Sequence, residues 1–176
     1  GEIFRDQDQL MENIERVTSF IAGKIRLQGG NPDRETLQVI RTVDGHPYYR
    51  DETGHGWRVY PFITDSASFD KAESAEDFKQ SGYAFGNFQY FLADFPAKEL
   101  HETIPNFHNT VDRFAKFRKA VETDVMGRAA QVQEEIRFVM EREQDCHFFG
   151  DLLEAGELPL RVTHNDTKLN NVLFDR

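Results

Sequence analysis

The sequence predicts an α+β fold, in which one helix and three antiparallel strands precede a mainly helical part. Three observations carry that expectation. Apolar residues near the start recur at helical spacing, and the stretch after them breaks into short β-rich runs divided by turn residues. Past residue 68 the apolar period becomes helical and stays so. Close to the end, a polar run lies between two apolar ones, the pattern of a tight turn between strands.

Asp6 is placed to cap a helix whose apolar positions Leu10, Ile14, Val17 and Ile21 share one face, with Gln9 set for a capping box. Gly29-Gly30-Asn31-Pro32 should stop it, because glycine tolerates the left-handed backbone of helix ends and proline cannot continue a helix. Residues 36–42, 46–50 and 56–62 read as strands, separated by Asp44-Gly45 and by Glu52-Thr53-Gly54-His55, and together as a three-stranded antiparallel meander. Ile63-Thr64-Asp65-Ser66-Ala67-Ser68 has the composition of a hinge. Three apolar stripes follow: Phe78, Phe85, Phe88, Leu92 and Phe95; Val111, Phe114, Phe117 and Val121; Val132, Ile136, Val139 and Met140. Each reads as a helix face turned to a core. The expected organisation is a small lobe over residues 1–63, a hinge over 64–68 and a helical lobe over 69–176. Residues 158–162 and 171–174 read as strands entering and leaving a final hairpin-like turn.

With 39% hydrophobic and 12% aromatic residues the chain is that of a folded protein. Its net charge of −10, with no segregated basic patch, argues against nucleic acid and anionic membrane surfaces as partners, since both would repel it. A single cysteine, Cys146, allows no internal disulfide and no cysteine-rich metal site, which points to a reducing cytoplasm. It reads as a half-buried small residue near a helix end. No apolar run approaches membrane-spanning length. His46, His55, His101 and His147 lack metal-ligand spacing.

The chemistry-bearing segment is Val162-Thr163-His164-Asn165-Asp166-Thr167-Lys168-Leu169-Asn170-Asn171-Val172-Leu173-Phe174-Asp175. It sets a carboxylate, Asp166, five residues ahead of a carboxamide, Asn171. That is the catalytic-loop pattern of kinases: the Asp faces the hydroxyl that attacks a phosphoryl group, and the Asn reaches a metal that neutralises phosphate charge. Three other readings exist: a turn whose Asp and Asn only hold the backbone, a hydrolase in which Asp166 activates water with Asp175 as second carboxylate, and a non-catalytic kinase-like module. The hinge, the helical part and the flanking apolar runs favour the kinase pattern. No G-x-G-x-x-G and no G-x-x-x-x-G-K-[ST] occurs, and Gly29-Gly30 follows a helix rather than a strand. The chain is therefore expected to be an internal piece of a larger enzyme, truncated after the catalytic loop, inactive by itself and prone to self-association through uncovered apolar surface.

This order of elements, closed by His164-Asn165-Asp166-x-x-x-x-Asn171, resembles the middle of the aminoglycoside phosphotransferase and choline kinase superfamily, which shares the protein-kinase fold. Within it, Leu100-His101-Glu102-Thr103-Ile104-Pro105-Asn106-Phe107-His108-Asn109-Thr110 and the Asp166 segment are similar to the N-acetylhexosamine 1-kinase branch. The resemblance implies ATP and Mg2+ as cofactors and a small-molecule acceptor, an amino sugar phosphorylated on its anomeric hydroxyl, with aminoglycosides or choline as alternatives. It implies Asp166 as catalytic base in contact with the acceptor, Asn171 as metal ligand, and backbone groups of Tyr60, Pro61, Phe62 and Ile63 at the adenine. Glu12 or Glu15 would pair with a phosphate-binding lysine on a strand outside this sequence. Lys168 either approaches the transferred phosphate or is a solvated loop lysine. His164 braces the loop, since the Asp already supplies the base. His108 and Asn109 either line the acceptor pocket, or Asn109 with Thr110 simply caps the next helix.

Overall fold

The computed structural model describes Phe4 and residues 6–175. The Asp6 carboxylate accepts the amides of Asp8 and Gln9 at 2.9 and 3.0 Å and so starts α1 (Gln7–Leu27), satisfying two N–H groups that have no partner inside the helix. The helix ends as its glycines dictate. Gly29 takes φ 78°, its amide bonds to the Arg26 carbonyl at 3.0 Å, and the Gly30 amide reaches back to the Ile25 carbonyl at 3.0 Å. That pair of bonds is a Schellman motif, which needs a left-handed residue where Gly29 stands. A single helical turn, α2 (Pro32–Glu35), follows at once, capped by the Asn31 side chain on the Asp33 amide at 3.1 Å.

The three expected strand runs meet over fewer residues and not in the order of a meander, since the third run pairs with both the second and the first. β1 (Tyr49–Arg50) and β2 (Gly56–Trp57) pair antiparallel, and Ile40 forms an isolated antiparallel bridge with Val59. Local turn chemistry takes the rest. The Asp51 carboxylate collects the Thr53 amide and hydroxyl, the His55 amide and the Trp57 indole N–H, all between 2.7 and 2.9 Å. These donors, the Thr53 hydroxyl first and the Trp57 indole next, hold the Asp51 carboxyl far below the ordinary aspartate range. A carboxylate whose pKa is depressed by folding stabilises the fold above its unfolded value of about 3.9 and loses that contribution as pH falls through the folded value. Asp51→Ala is therefore expected to loosen the β1–β2 turn at neutral pH, read as a change in Trp57 fluorescence, and to remove the loosening in acid that is expected of the native turn. An unchanged Trp57 signal would contradict the assignment.

The final hairpin is a correction. Residues 158–162 form no strand, and the arm leaving the turn, β4 (Phe174–Asp175), pairs antiparallel with β3 (Ser66–Ala67) from the expected hinge: Ser66 opposite Asp175 and Ala67 opposite Phe174. Pro159 supplies no donor for a ladder. Arg161 and Val162 are engaged elsewhere, Arg161 donating to the Ala93 carbonyl and Val162 packing on the core.

α3 (Ala75–Phe91) opens with a reciprocal capping box between Ser74 and Asp77. Its end meets α1 in the main core, where Ile21 and Ile25 pack with Phe91 and Leu92, flanked by Val17, Phe20, Phe88, Phe95 and Val162. Phe88, Leu92 and Phe95 of the expected stripe take part, whereas Phe78 is 68% exposed. Phe91, absent from that stripe, is buried because it lies one turn beyond Phe88.

The chain divides into two compact units, Gly1–Ile104 with Arg161–Arg176, and Pro105–Leu160. The second holds α4 (Thr110–Thr123), α5 (Gln133–Met140) and α6 (Phe148–Glu154). Within it Phe114 is buried beneath the Arg118 guanidinium, which also pairs with Glu143. Cys146 is half-buried in the 3-10 turn ahead of α6. Among the described residues no helix is long and apolar enough to cross a membrane.

Candidate active site

The Asp166 loop is pinned at both ends. On its approach, Val162 enters the α1–α3 core, and the His164 ring meets Phe85 and Phe88 of α3 edge-on, at centroid distances of 5.2 and 5.6 Å. The His164 Nδ1 atom is buried without a hydrogen-bond partner in the protein. Packing between rings fits the expected bracing role. At the tip, Asn165 adopts φ 65°, a left-handed conformation asparagine tolerates, while Thr163 donates its hydroxyl to the Asn165 carboxamide oxygen at 2.7 Å. On the exit side the chain makes one 3-10 turn, Leu169–Asn171, before β4.

Inside this frame Asn171 closes the loop on Asp166. Its Nδ2 donates to the Asp166 carbonyl at 2.8 Å and to Asp166 Oδ2 at 2.9 Å. Lys168 Nζ stands 3.3 Å from the same Oδ2, so it is paired with the carboxylate rather than simply solvated. The Asn171 hydrogen bond, outweighing partial desolvation and helped by Lys168 and the His164 ring, holds the Asp166 carboxyl below its ordinary value. Asp166 is thus an exposed, aimed carboxylate that stays ionised at neutral pH.

Magnesium takes oxygen ligands. With its amide nitrogen engaged on Asp166, Asn171 has its Oδ1 left as the donor a hard cation would use, so the chemistry of this pair fits the metal in kind. Among the described residues no three His, Cys, Asp or Glu gather into a metal site, so water or phosphate oxygens or groups beyond these residues would have to complete any shell formed here.

The other expected residues fall elsewhere. Glu12 accepts from His101 Nε2 at 2.8 Å and pairs with Arg16 at 2.8 Å, while Glu15 pairs with Arg41. The His101 hydrogen bond is the main reason the Glu12 carboxyl lies below its usual value. Asn13 adds two backbone bonds to His101, at 2.8 and 2.9 Å, an anchor that no motif in the sequence announced. Tyr60 and Phe62 lie outside any strand, Phe62 is 90% exposed, and the Ile63 carbonyl accepts the Ser66 hydroxyl at 2.9 Å. Asn109 is the N-cap of α4, accepting the Asp112 amide at 3.0 Å, and the His108 ring lies against Phe107. An open groove of about 370 Å³ is lined by Asp8, Thr42, Asp44, His46, Tyr48, Tyr49 and Arg50, away from the Asp166 loop in sequence and lining.

A helix, small antiparallel strands and a further set of helices make an α+β fold of the kinase-like class, with the Asp166–Asn171 turn as its candidate site. The family model of the phosphotransferase enzyme family (APH) matches residues 31–176, which takes in β1 to β4 and the whole Asp166 loop. The chain belongs to that family. Membership implies phosphoryl transfer to a small molecule with ATP as donor.

Proposed function

We propose that the full-length enzyme carrying this sequence transfers the γ-phosphate of ATP to the anomeric hydroxyl of an N-acetylhexosamine. The observation that carries the transfer reaction is the Asp166 carboxylate, ionised, exposed and held by Asn171 at the tip of a loop pinned on both sides. The sugar rests on the likeness of residues 100–110 and 162–175 to the N-acetylhexosamine 1-kinase branch. Aminoglycosides and choline are the competing acceptors.

In this mechanism Asp166 accepts a hydrogen bond from the acceptor hydroxyl and takes its proton as the new oxygen–phosphorus bond forms and the bond to ADP breaks. A depressed pKa makes it a modest base, so most of its contribution is orientation of the hydroxyl in line with the phosphate. Asn171 Oδ1 would hold magnesium, which when bound neutralises charge on the phosphates. Lys168, already beside Asp166, is placed to swing toward the transferred phosphate. The adenine is assigned to the backbone of Tyr60, Pro61, Phe62 and Ile63, with residues 1–63 as the small lobe, 64–68 as the hinge and 69–176 as the helical lobe. Glu12 is the candidate partner of a phosphate-binding lysine, a role that requires it to leave His101, and His108 and Asn109 are candidates at the acceptor. The sole cysteine supports a cytoplasmic setting, and the exposed Leu27, Val43 and Phe62 support self-association.

The experiment is a side-by-side assay of the full-length enzyme with magnesium-ATP against N-acetylglucosamine, N-acetylgalactosamine, choline and an aminoglycoside. The two sugars are expected to be preferred, and the 176-residue chain alone is expected to transfer nothing, since it holds neither glycine-rich phosphate motif. Preference for choline or the aminoglycoside would remove the sugar and keep the reaction class. Transfer by the 176-residue chain would remove the need for further parts.

A further inference from the structure

The exit arm of the Asp166 loop is held by a clasp that the catalytic motif does not explain. β3 and β4 pair, the Phe69 and Phe174 rings meet edge-on at 5.2 Å, and Asn170 Nδ2 donates to Asp70 at 3.3 Å. Arg34 of α2 reaches both sides of it. Its Nη1 donates to the Thr64 carbonyl at 3.2 Å, just ahead of β3, and its Nη2 to Asp175 Oδ1 at 2.5 Å, at the end of β4. One planar guanidinium therefore spans the two strands, a geometry that a lysine ammonium does not reproduce.

The platform under Arg34 is tightly seated. A Cβ on Gly30, which joins α1 to α2, would lie 2.6 Å from Glu35 Oε1 and 2.8 Å from Ile25 Cγ2, and Ile25 is only 1% exposed. Glu35 in turn accepts the Asn31 amide at 2.5 Å. The Arg34–Asp175 pair itself is open to solvent, 39% and 83% exposed, so it contributes little to stability. Its consequence is geometric: Asp175 lies on the same short arm as Asn171, and Asn171 sets Asp166.

We infer that Arg34 is a positioning residue for phosphoryl transfer, one that fixes β4 against β3 and thereby the placement of the Asn171–Asp166 pair. The inference rests on the phosphotransferase reading above.

It is tested in the full-length enzyme with Arg34→Ala, Asp175→Ala and the double variant. Each single change is expected to lower kcat about three- to tenfold, within the range by which residues outside a site tune it. Acceptor KM should stay within about twofold, a split that loss of binding would not give. The double variant should lose no more than the worse single one, because both remove the same contact. Melting temperature should move by no more than about 2 °C, as for an exposed pair. Backbone amides of residues 66–67 and 173–175 should exchange with solvent faster in Arg34→Ala than in the native protein.

Unchanged exchange overturns the inference whatever kcat does. Unchanged kcat, additive losses in the double variant, or a fall in melting temperature that tracks the loss of rate overturns it equally. A native enzyme that phosphorylates none of the acceptors removes the functional reading instead. The exchange experiment then still decides the clasp, with faster exchange supporting it and unchanged exchange ending it.

Discussion

Asp166→Asn in the full-length enzyme is expected to lower kcat by about 10²–10⁴-fold, the usual worth of a positioned acid–base group, while nucleotide affinity stays within about twofold. The substitution keeps size and hydrogen-bonding reach and removes only the negative oxygen. Asn171 currently donates to that oxygen at 2.9 Å and Lys168 stands 3.3 Å from it, so the change also leaves Lys168 without its carboxylate. Because Asn171 and Lys168 hold the Asp166 carboxyl below its ordinary value, it is deprotonated throughout the neutral range. The sign follows: protonation of Asp166 reduces the native rate only on the acid side, below the ordinary aspartate value of about 3.9. A steady-state pH profile that shows an Asp166-dependent acid limb near neutrality would contradict this electrostatic account.

Leu92→Ala is expected to destabilise the protein by about 2–5 kcal/mol, the range for truncating a buried leucine that its neighbours cannot replace. Leu92 is 1% exposed and packs with Ile21, Ile25 and Phe91 at the junction of α1 and α3. The same cluster carries Val162, the approach to the Asp166 loop, and Phe88, one of the two rings against His164. Loss of Leu92 should therefore loosen the loop as well as the core. Urea unfolding checks the first effect through a lower midpoint at unchanged slope. A midpoint equal to that of the native protein would mean that the core does not lie where α1 and α3 meet.

What the sequence made legible were features governed by neighbouring residues. Asp6 caps α1 and Gly29 ends it because both rules act within one turn of helix. The Asp166–Asn171 spacing was equally readable, since the loop that brings the two together is continuous in the chain. Features set by distant partners were not. No local pattern links Ser66 to Asp175, and a two-residue strand has too little periodicity to announce itself, so the arm after Asn171 was expected to pair with residues 158–162. α2 is one turn long, below the length at which a helical period emerges, so no pattern in the sequence marks Arg34. The β runs shortened because Asp51 offers the backbone side-chain bonds that compete with a ladder. At Asn109 the sequence left a cap and an acceptor contact open. The structure supplies the cap, while the acceptor's identity is not encoded in the Asp166 loop.

We propose that Asp166 and Asn171, held together by the two hydrogen bonds that Asn171 Nδ2 donates, serve different steps of phosphoryl transfer. The most direct measurement is a magnesium titration of nucleotide affinity, run beside single-turnover transfer of labelled γ-phosphate, for the native full-length enzyme, Asp166→Asn and Asn171→Ala. The expected result is that Asp166→Asn loses transfer and keeps magnesium-dependent nucleotide binding, while Asn171→Ala weakens the magnesium dependence of both. Retained transfer in Asp166→Asn, or magnesium dependence unaltered in Asn171→Ala, would contradict it.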